Sequence, residues 1–314
     1  MRTIYLILSL VFISFHSNAA GVVPDNPQAK AAYKEIEETF GMVPTFLKEF
    51  PQESISGAWQ EMRDVQLNPT TALTPKSKEL IGLAVASQIP CAYCVYFHKA
   101  AAKFNGATDR EMKYAIAVAA ETRKWSTFFY GAQVPMDKFK SDVKRMVSFV
   151  KSRKDKPMTE SAATPLIGDV NGVMKDIEKT FGFVPEFAKQ YSTKGLPGSW
   201  NELKMLSMNP RAPLSPATIN LIGLAVSAQA PCPYCTLFNT EFAKLDGATT
   251  EQIHEAIAMA GVTRHWSTFL NGLQQPQKDF ENEVNQIFKR LEMKKGQLDK
   301  SISKVETPQA TEIE

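Results

Sequence analysis

Apolar residues recur along most of this chain at intervals of three and four positions, the spacing that places side chains on one face of an α-helix. Between positions 27 and 39, for example, Ala32, Tyr33 and Ile36 fall on one such face. Alternation of apolar and polar residues between turn signals, which is typical of strands, is absent. The pattern therefore predicts an all-α protein.

Helix-capping residues divide the first half of the chain. Thr74 followed by Pro75 is typical of an N-cap and first helical position. Asn105-Gly106 is typical of a helix end, and Thr108 with Glu111 forms a capping-box pattern. The predicted helices are residues 27–39, 46–62 (one or two helices), 75–89, 91–104, 115–130 and 136–151.

The same succession of residues occurs twice, at a constant offset of 141 positions. A duplicated domain explains this offset, and we place a first copy at residues 22–150 and a second copy at 165–292. A segment rich in charge, Pro, Ser and Thr at 151–164 is interpreted as a linker, and 293–314 as a polar tail. The repeated motifs include Ile81-Gly82-Leu83-Ala84-Val85 with Ile222-Gly223-Leu224-Ala225-Val226, and Trp125-Ser126-Thr127-Phe128 with Trp266-Ser267-Thr268-Phe269.

Residues 1–20 differ from the rest of the chain. A short positive start precedes an apolar run that ends at Phe15, and small residues follow. This predicts a signal peptide cleaved near Ala19 or Ala20, and hence a periplasmic or secreted protein; an uncleaved anchor or a buried helix is the alternative. The run is about a dozen residues, whereas a bilayer span needs about 20, so we expect no stable membrane insertion.

Length and charge narrow the possible classes of protein. A chain of 314 residues is long for one helical core, which favours two domains. With 36 basic and 33 acidic residues, the chain is nearly neutral, and we therefore expect no nucleic-acid partner.

All four cysteines lie in two Cys-x-x-Cys pairs, which an oxidising compartment can convert to disulfides of either structural or catalytic use.

The first cysteine pair has partners suited to proton transfer. A helix that begins after Pro90 has Cys91 in its first turn and Cys94 and His98 on the same face. The positive end of a helix dipole favours thiolates, and pairs placed in this way can have pKa values of about 3.5–7.5 instead of ~8.5. Glu79 lies on the preceding helix, and a helical hairpin would bring it beside His98.

The spacing of glutamate, eleven residues, Cys-x-x-Cys, three residues and histidine resembles the signature of the AhpD-like family, within the carboxymuconolactone decarboxylase superfamily. The resemblance covers residues 74–131 and their counterparts in the second copy. It implies two tandem all-α domains with peroxidase-type thiol chemistry. It also implies that Cys94 is the attacking thiol, Cys91 the resolving thiol, and His98 with Glu79 the proton relay.

Other expectations follow from the same resemblance. The substrate is expected to be a peroxide or a disulfide, reduced at the expense of an unidentified thiol reductant. No cofactor or metal is expected, and family habit suggests a homo-oligomer such as a trimer. Decarboxylase members generally lack the cysteine pair, which argues against decarboxylation here.

The second copy keeps both thiols, Cys232 and Cys235, but changes their surroundings. The glutamate and histidine of the first copy are matched by Asn220 and Asn239. An amide cannot act as a base near neutral pH. The sequence therefore predicts a structural or degenerate second pair.

Two other interpretations of the cysteines stay open. The alternative interpretation is a non-enzymatic exported scaffold or binding protein whose cysteine pairs are structural disulfides, although such short loops stabilise weakly. A single zinc site formed by all four thiolates is disfavoured because the pairs lack zinc-module spacing. The same residues also suit a thiol–disulfide exchanger.

Overall fold

The computed structural model describes residues 26–153 and 166–305. These residues form helices and connecting turns without any strand, which confirms the all-α prediction. The predicted signal peptide, most of the predicted linker and the end of the polar tail lie outside the described residues. Within the described part, no helix combines the length and the apolar character that crossing a bilayer requires.

Each copy contributes seven α-helices to the described residues. The first copy contains α1 (Pro27–Phe40), α2 (Thr45–Lys48), α3 (Ile55–Glu61) continued by a π-helical segment (Met62–Leu67), α4 (Pro75–Gln88), α5 (Ala92–Phe104), α6 (Asp109–Gly131) and α7 (Met136–Ser152). The second copy contains α8 (Val170–Phe181), α9 (Glu186–Gln190), α10 (Leu196–Ser207), α11 (Pro216–Gln229), α12 (Pro233–Leu245), α13 (Thr250–Leu273) and α14 (Gln277–Val305).

The helix starts follow from the capping residues in the sequence. The Thr74 hydroxyl accepts a hydrogen bond from the Ser77 N–H at the start of α4. Both reciprocal bonds of the capping box between Thr108 and Glu111 are present. That box opens a single helix of 23 residues, α6, which is longer than the segment 115–130 marked by the apolar pattern.

The centre of the molecule is shared by the two copies. Helices α4 and α6 of the first copy pack against α11 and α13 of the second around one cluster of buried aliphatic side chains. Leu83 and its counterpart Leu224 are both fully buried there. The tandem copies therefore pair with each other inside one chain.

The last helices of each copy pack on the opposite copy. Trp266 and Phe280, from α13 and α14, belong to the core formed by α1–α5. Their counterparts Trp125 and Phe139, from α6 and α7, belong to the core formed by α8–α12. The boundaries at 22–150 and 165–292 follow the repeat in sequence, whereas the hydrophobic cores combine both copies. Each cysteine pair is consequently enclosed by helices from both copies.

A pair of equivalent polar contacts fixes this exchange of helices. The Glu283 carboxylate of α14 accepts hydrogen bonds from the backbone N–H of Thr45 at 3.1 Å and from its hydroxyl at 2.5 Å. In the other half, the Asp142 carboxylate of α7 accepts from the Glu186 N–H at 3.0 Å. A carboxylate at a helix N-terminus is electrostatically favourable, so both contacts stabilise the docking of short helices α2 and α9.

Candidate functional site

The first cysteine pair lies at the start of α5 and is a disulfide, with the two Cα atoms 5.3 Å apart. Cys91 is the N-cap residue, one position earlier than the first turn in which the sequence placed it. Its sulfur accepts a hydrogen bond from the Cys94 N–H at 3.2 Å. Both cysteines are buried, at 0% and 3% exposed. The free amides and positive dipole of the helix N-terminus would stabilise a thiolate on Cys91 when the disulfide is reduced.

Glu79 and His98 form a buried pair between α4 and α5, as the spacing in the sequence predicted. Glu79 Oε2 lies 2.7 Å from His98 Nδ1, and the two residues are 2% and 4% exposed. A second hydrogen bond, 3.1 Å long, runs to Glu79 Oε1 from the side-chain amide of Gln66 on the π-helical segment. A carboxylate beside Nδ1 favours the tautomer protonated there, which leaves Nε2 with its lone pair free to accept a proton.

The Nε2 edge of His98 faces a cavity shared with Cys94. Thr263, from α13 of the second copy, has its hydroxyl oxygen 3.3 Å from His98 Nε2. The cavity is about 20 Å³ and is also lined by Phe46 and Trp266. Because a water needs roughly 10–15 Å³ of such volume, the cavity that His98 and Cys94 both line fits about one small molecule. The structure thus brings His98 and Cys94 to one cavity, with Glu79 behind the imidazole.

The close approach of α4 and α5 depends on a glycine. A β-carbon on Gly82 would overlap the His98 ring. In the second copy, a β-carbon on Gly223 would overlap Asn239. The glycine in the repeated Ile-Gly-Leu-Ala-Val motif therefore makes room for the side chain that follows each cysteine pair by four positions.

Three polar residues of the first site escaped the sequence analysis. Gln66 and Thr263 belong to segments far from the motif, and neither has a motif spacing to mark it. Lys78 is fully buried beside Glu79, and its ammonium group donates a hydrogen bond to the Asn68 carbonyl at 2.8 Å. Burial lowers the pKa of Lys78, while the charges of Glu255 and Glu79 oppose that shift. An unexpected lysine on an apolar helix face was the available signal.

The second pair occupies the equivalent place at the start of α12, but its cysteines are free thiols. Cys232 is the N-cap, and its sulfur lies 2.6 Å from that of Cys235. The hydrogen bond between the two sulfurs lowers the pKa of Cys232 to about 6, and the same bond together with burial raises the pKa of Cys235. The second pair therefore favours a thiolate on Cys232 and a proton on Cys235.

The two asparagines of the second copy bind groups other than the thiols. The Asn220 amide donates to the Pro216 carbonyl at 3.1 Å and to Asp246 Oδ2 at 2.9 Å. The Asn239 amide donates to the Cys235 carbonyl within its own helix at 2.9 Å. Among the hydrogen bonds of residues 166–297, none joins Asn220 to Asn239 in the way that one joins Glu79 to His98.

Another acidic residue stands at the second site. Glu121, on α6 of the first copy, lines a cavity together with Cys235. Sequence analysis missed it because Glu121 is matched by Val262 in the repeat and lies outside the copy whose thiols it approaches. A carboxylate in an otherwise apolar stretch of α6 was the only hint. Among the described residues, no group of three or more His, Cys, Asp or Glu side chains converges in a way that suits a metal ion.

Comparison with known proteins gives matches of different extent. The sequence model described as the carboxymuconolactone decarboxylase family matches residues 55–135 and 196–278. A curated protein of Paracoccus denitrificans, described as uncharacterized protein 4 in the cox locus, is 39% identical over 57 residues, or 18% of this chain. That match spans 51% of the relative, so about half of its length.

A solved structure from Burkholderia xenovorans LB400, assigned provisionally as a gamma-carboxymuconolactone decarboxylase subunit, is 16% identical. The alignment covers 85% of this chain and 99% of that one, with a TM-score of 0.48. The two family matches fall at equivalent places in the repeat and include both cysteine pairs. The chain therefore belongs to the carboxymuconolactone decarboxylase family and carries two copies of its domain in tandem.

Proposed function

We propose that the first site is a thiol-dependent peroxidase in which Cys91 and Cys94 cycle between dithiol and disulfide. The observation that carries this proposal is the shared cavity of Cys94 and His98, with the imidazole held by the buried Glu79 carboxylate. A family that includes both decarboxylases and AhpD-type peroxidases is compatible with it. Of these two activities, the cysteine pair favours the peroxidase, since decarboxylation does not require a disulfide.

The proposed cycle starts from the reduced pair. His98 Nε2 accepts the Cys94 proton through one intervening water, and Glu79 stabilises the imidazolium that forms. The Cys94 thiolate then attacks one peroxide oxygen, the O–O bond breaks, and the departing oxygen takes the proton back from His98. Cys94 becomes a sulfenic acid and the peroxide becomes an alcohol or water.

The second half of the cycle closes the disulfide. The Cys91 sulfur attacks the Cys94 sulfenic sulfur, the S–S bond forms, and the hydroxyl leaves as water with the Cys91 proton. A dithiol reductant then restores both thiols by exchange, and is itself oxidised to a disulfide. The small cavity favours hydrogen peroxide as substrate, because a volume of about 20 Å³ holds little more than one water.

The setting of the enzyme is part of the same proposal. We infer from the sequence of residues 1–20 that the protein acts in the periplasm or outside the cell, so that its reductant belongs to that compartment. We also propose that several chains associate, for example as a trimer, because related proteins of this family form such oligomers. The thiol–disulfide exchanger remains the second candidate, because a pair that is oxidised in the structure can also accept electrons from a substrate dithiol.

The proposed function is tested with the second pair disabled. The variant Cys232→Ser/Cys235→Ser is expected to consume hydrogen peroxide with dithiothreitol as donor, and adding Cys94→Ser should abolish this turnover. A non-enzymatic scaffold, in contrast, would give the same slow background rate with and without Cys94. If dithiothreitol-driven reduction of a test disulfide survives while peroxide consumption is absent, the exchanger is the correct function.

A further inference from the structure

The second cysteine pair borders a larger cavity than the first. Its volume is about 60 Å³, compared with about 20 Å³ at the first site. The difference follows from the side chains, because Gln66 and His98 are replaced by the smaller Ser207 and Asn239. The wall is mostly apolar and includes Val118, Trp125, Phe129, Phe187, Leu203, Ile219 and Phe238.

A buried carboxyl group belongs to the same cavity. Glu121 is only 4% exposed, and its Oε2 accepts a hydrogen bond from the Ser207 hydroxyl at 2.6 Å. Its other oxygen, Oε1, and the indole N–H of Trp125 are both buried without a hydrogen bond of regular geometry among the described residues, but the two side chains are close enough for the Trp125 N–H to favour the ionised Glu121. Both residues line the cavity together with Cys235, so the cavity has one carboxyl group and one indole N–H in a wall that is otherwise mostly apolar.

We propose that Cys235, Cys232 and Glu121 form a second peroxide-reducing site, whose substrate is a small organic hydroperoxide with its apolar group in this cavity. Glu121 supplies the proton transfer that Asn220 and Asn239 cannot perform. The proposal is independent of the relay at the first site, because no residue is common to the two.

The charges around the second site suit such a role. Burial raises the pKa of Glu121 to about 7, although the Ser207 hydrogen bond and the charge of Lys124 act in the opposite direction. Glu202 on α10, which forms an ion pair with Lys124, adds to the rise. Burial, and after it the charge of Glu121, raises the pKa of Tyr114 on the same helix. Of the two cysteines of α12, Cys235 lines the cavity and retains its proton, whereas the thiolate is favoured on Cys232, which would attack in the second step.

The proposed reaction balances with these groups alone. The Cys235 proton passes to the Glu121 carboxylate as the sulfur attacks the hydroperoxide, and from Glu121 to the departing alkoxide. The products of this step are a Cys235 sulfenic acid and an alcohol. The Cys232 thiolate then attacks the sulfenic sulfur, which forms the disulfide and releases hydroxide. A dithiol such as dithiothreitol reduces the disulfide and becomes oxidised in turn.

Substrate access is provided by a neighbouring groove. A wider depression of about 330 Å³ adjoins the cavity and shares Ser207, Asn220 and Phe238 with it. Asn220 thus lies at the junction, where its first-copy counterpart is the buried Glu79. The exchange of the buried Glu79–His98 pair for two asparagines opens the second site to a molecule larger than water.

The test uses the full chain with the first site disabled. The variant Cys91→Ser/Cys94→Ser should still reduce tert-butyl hydroperoxide with dithiothreitol, and prefer it to hydrogen peroxide. Adding Glu121→Gln should lower the rate about 10²-fold or more, within the range for loss of a general acid–base group. Adding Glu255→Gln is the matched control, because that carboxylate binds the Ala72 and Leu73 amides away from this cavity, and should leave the rate unchanged.

Two further readouts separate catalysis from folding. The rate of the Cys91→Ser/Cys94→Ser variant should rise with pH through about 7, as Glu121 ionises, and this step should vanish with Glu121→Gln. Mass spectrometry with a sulfenic-acid trap should label Cys235. The proposal is overturned if the variant is no faster than one lacking all four cysteines, or if Glu121→Gln changes neither rate nor pH profile. Failure at this site leaves the first-site test, made in the Cys232→Ser/Cys235→Ser background, unaffected.

Discussion

Replacing His98 by asparagine, the residue that occupies the same place in the second copy, tests the buried hydrogen bond between His98 and Glu79 most sharply. Asn239 directs its amide to the carbonyl four residues earlier in its own helix. An asparagine at position 98 is expected to do the same and to bind the Cys94 carbonyl. The Glu79 carboxylate would then keep only the Gln66 amide as a direct hydrogen-bond partner while 2% exposed.

The expected magnitude follows from this burial. Removing the imidazole takes from the buried Glu79 carboxylate a hydrogen bond that a charged group makes, which costs about 1.5–3 kcal/mol of unfolding free energy. Glu79→Gln should be milder, about 0.5–1.5 kcal/mol, because its amide oxygen can still accept from His98 Nδ1. In the double variant no charge is left stranded. Its loss should therefore be smaller than the sum of the single losses by roughly 2 kcal/mol, above the ~0.5 kcal/mol scatter of independent sites.

Urea unfolding of the four proteins at pH 7, followed by tryptophan fluorescence and circular dichroism, gives the required free energies. The cysteines should be kept oxidised so that the Cys91–Cys94 disulfide is constant through the cycle. Two results would refute the reasoning: single losses that add within about 0.5 kcal/mol, or a His98→Asn variant that is no less stable than Glu79→Gln.

Four other predictions address the packing and the titrating groups. Gly82→Ala should displace the imidazole, lowering stability and first-site peroxide turnover together, and a crystal structure with an unmoved ring would contradict this. The pKa of Glu121 is raised from 4.5 to about 7 in the folded protein, so its contribution to stability is fully present below pH 4.5 and is lost as the pH rises through 7. Glu121→Gln should therefore flatten this decline when the free energy of unfolding is measured against pH. The pKa of Cys232 is lowered from 9.0 to about 6 in the folded protein, so its contribution to stability is present above pH 9 and is lost as the pH falls through 6. Cys232→Ser should remove this pH dependence of the free energy of unfolding. Finally, a protease site inserted within 154–165 and then cut should leave two fragments that co-elute in gel filtration, because each copy's last helices pack on the other copy.

Much of the fold was accessible from sequence because its signals are local. The capping box at Thr108 and the proline after Thr74 set helix starts that the structure reproduces. The pairing of Glu79 with His98 was also accessible, since a helical hairpin with a short turn fixes which residues face each other. Local capping chemistry and short connections therefore account for the elements and for the core of the first site.

The exchange of helices between copies was not accessible in the same way. The offset of 141 residues shows which positions of the two copies correspond. It does not show whether Trp266 packs on its own copy or on the other, because the correspondence is the same in both cases. Thr263 and Glu121 reach their sites only through that exchange. Comparison of the two copies showed that the second site lacks counterparts of Glu79 and His98. The Glu121 carboxylate, which comes from a helix of the other copy, could be recognised only from the tertiary packing.

The most direct test of the central claim is the rate at which reduced Cys94 reacts with hydrogen peroxide, measured by stopped flow in the Cys232→Ser/Cys235→Ser background. Loss of a general base lowers rates by about 10²–10⁴-fold, so His98→Asn should slow sulfenic-acid formation by at least ~10²-fold at pH 7. Glu79→Gln should slow it less, because the imidazole remains. Equal rates for all three proteins would show that the imidazole and carboxylate take no part in the chemistry of the thiol.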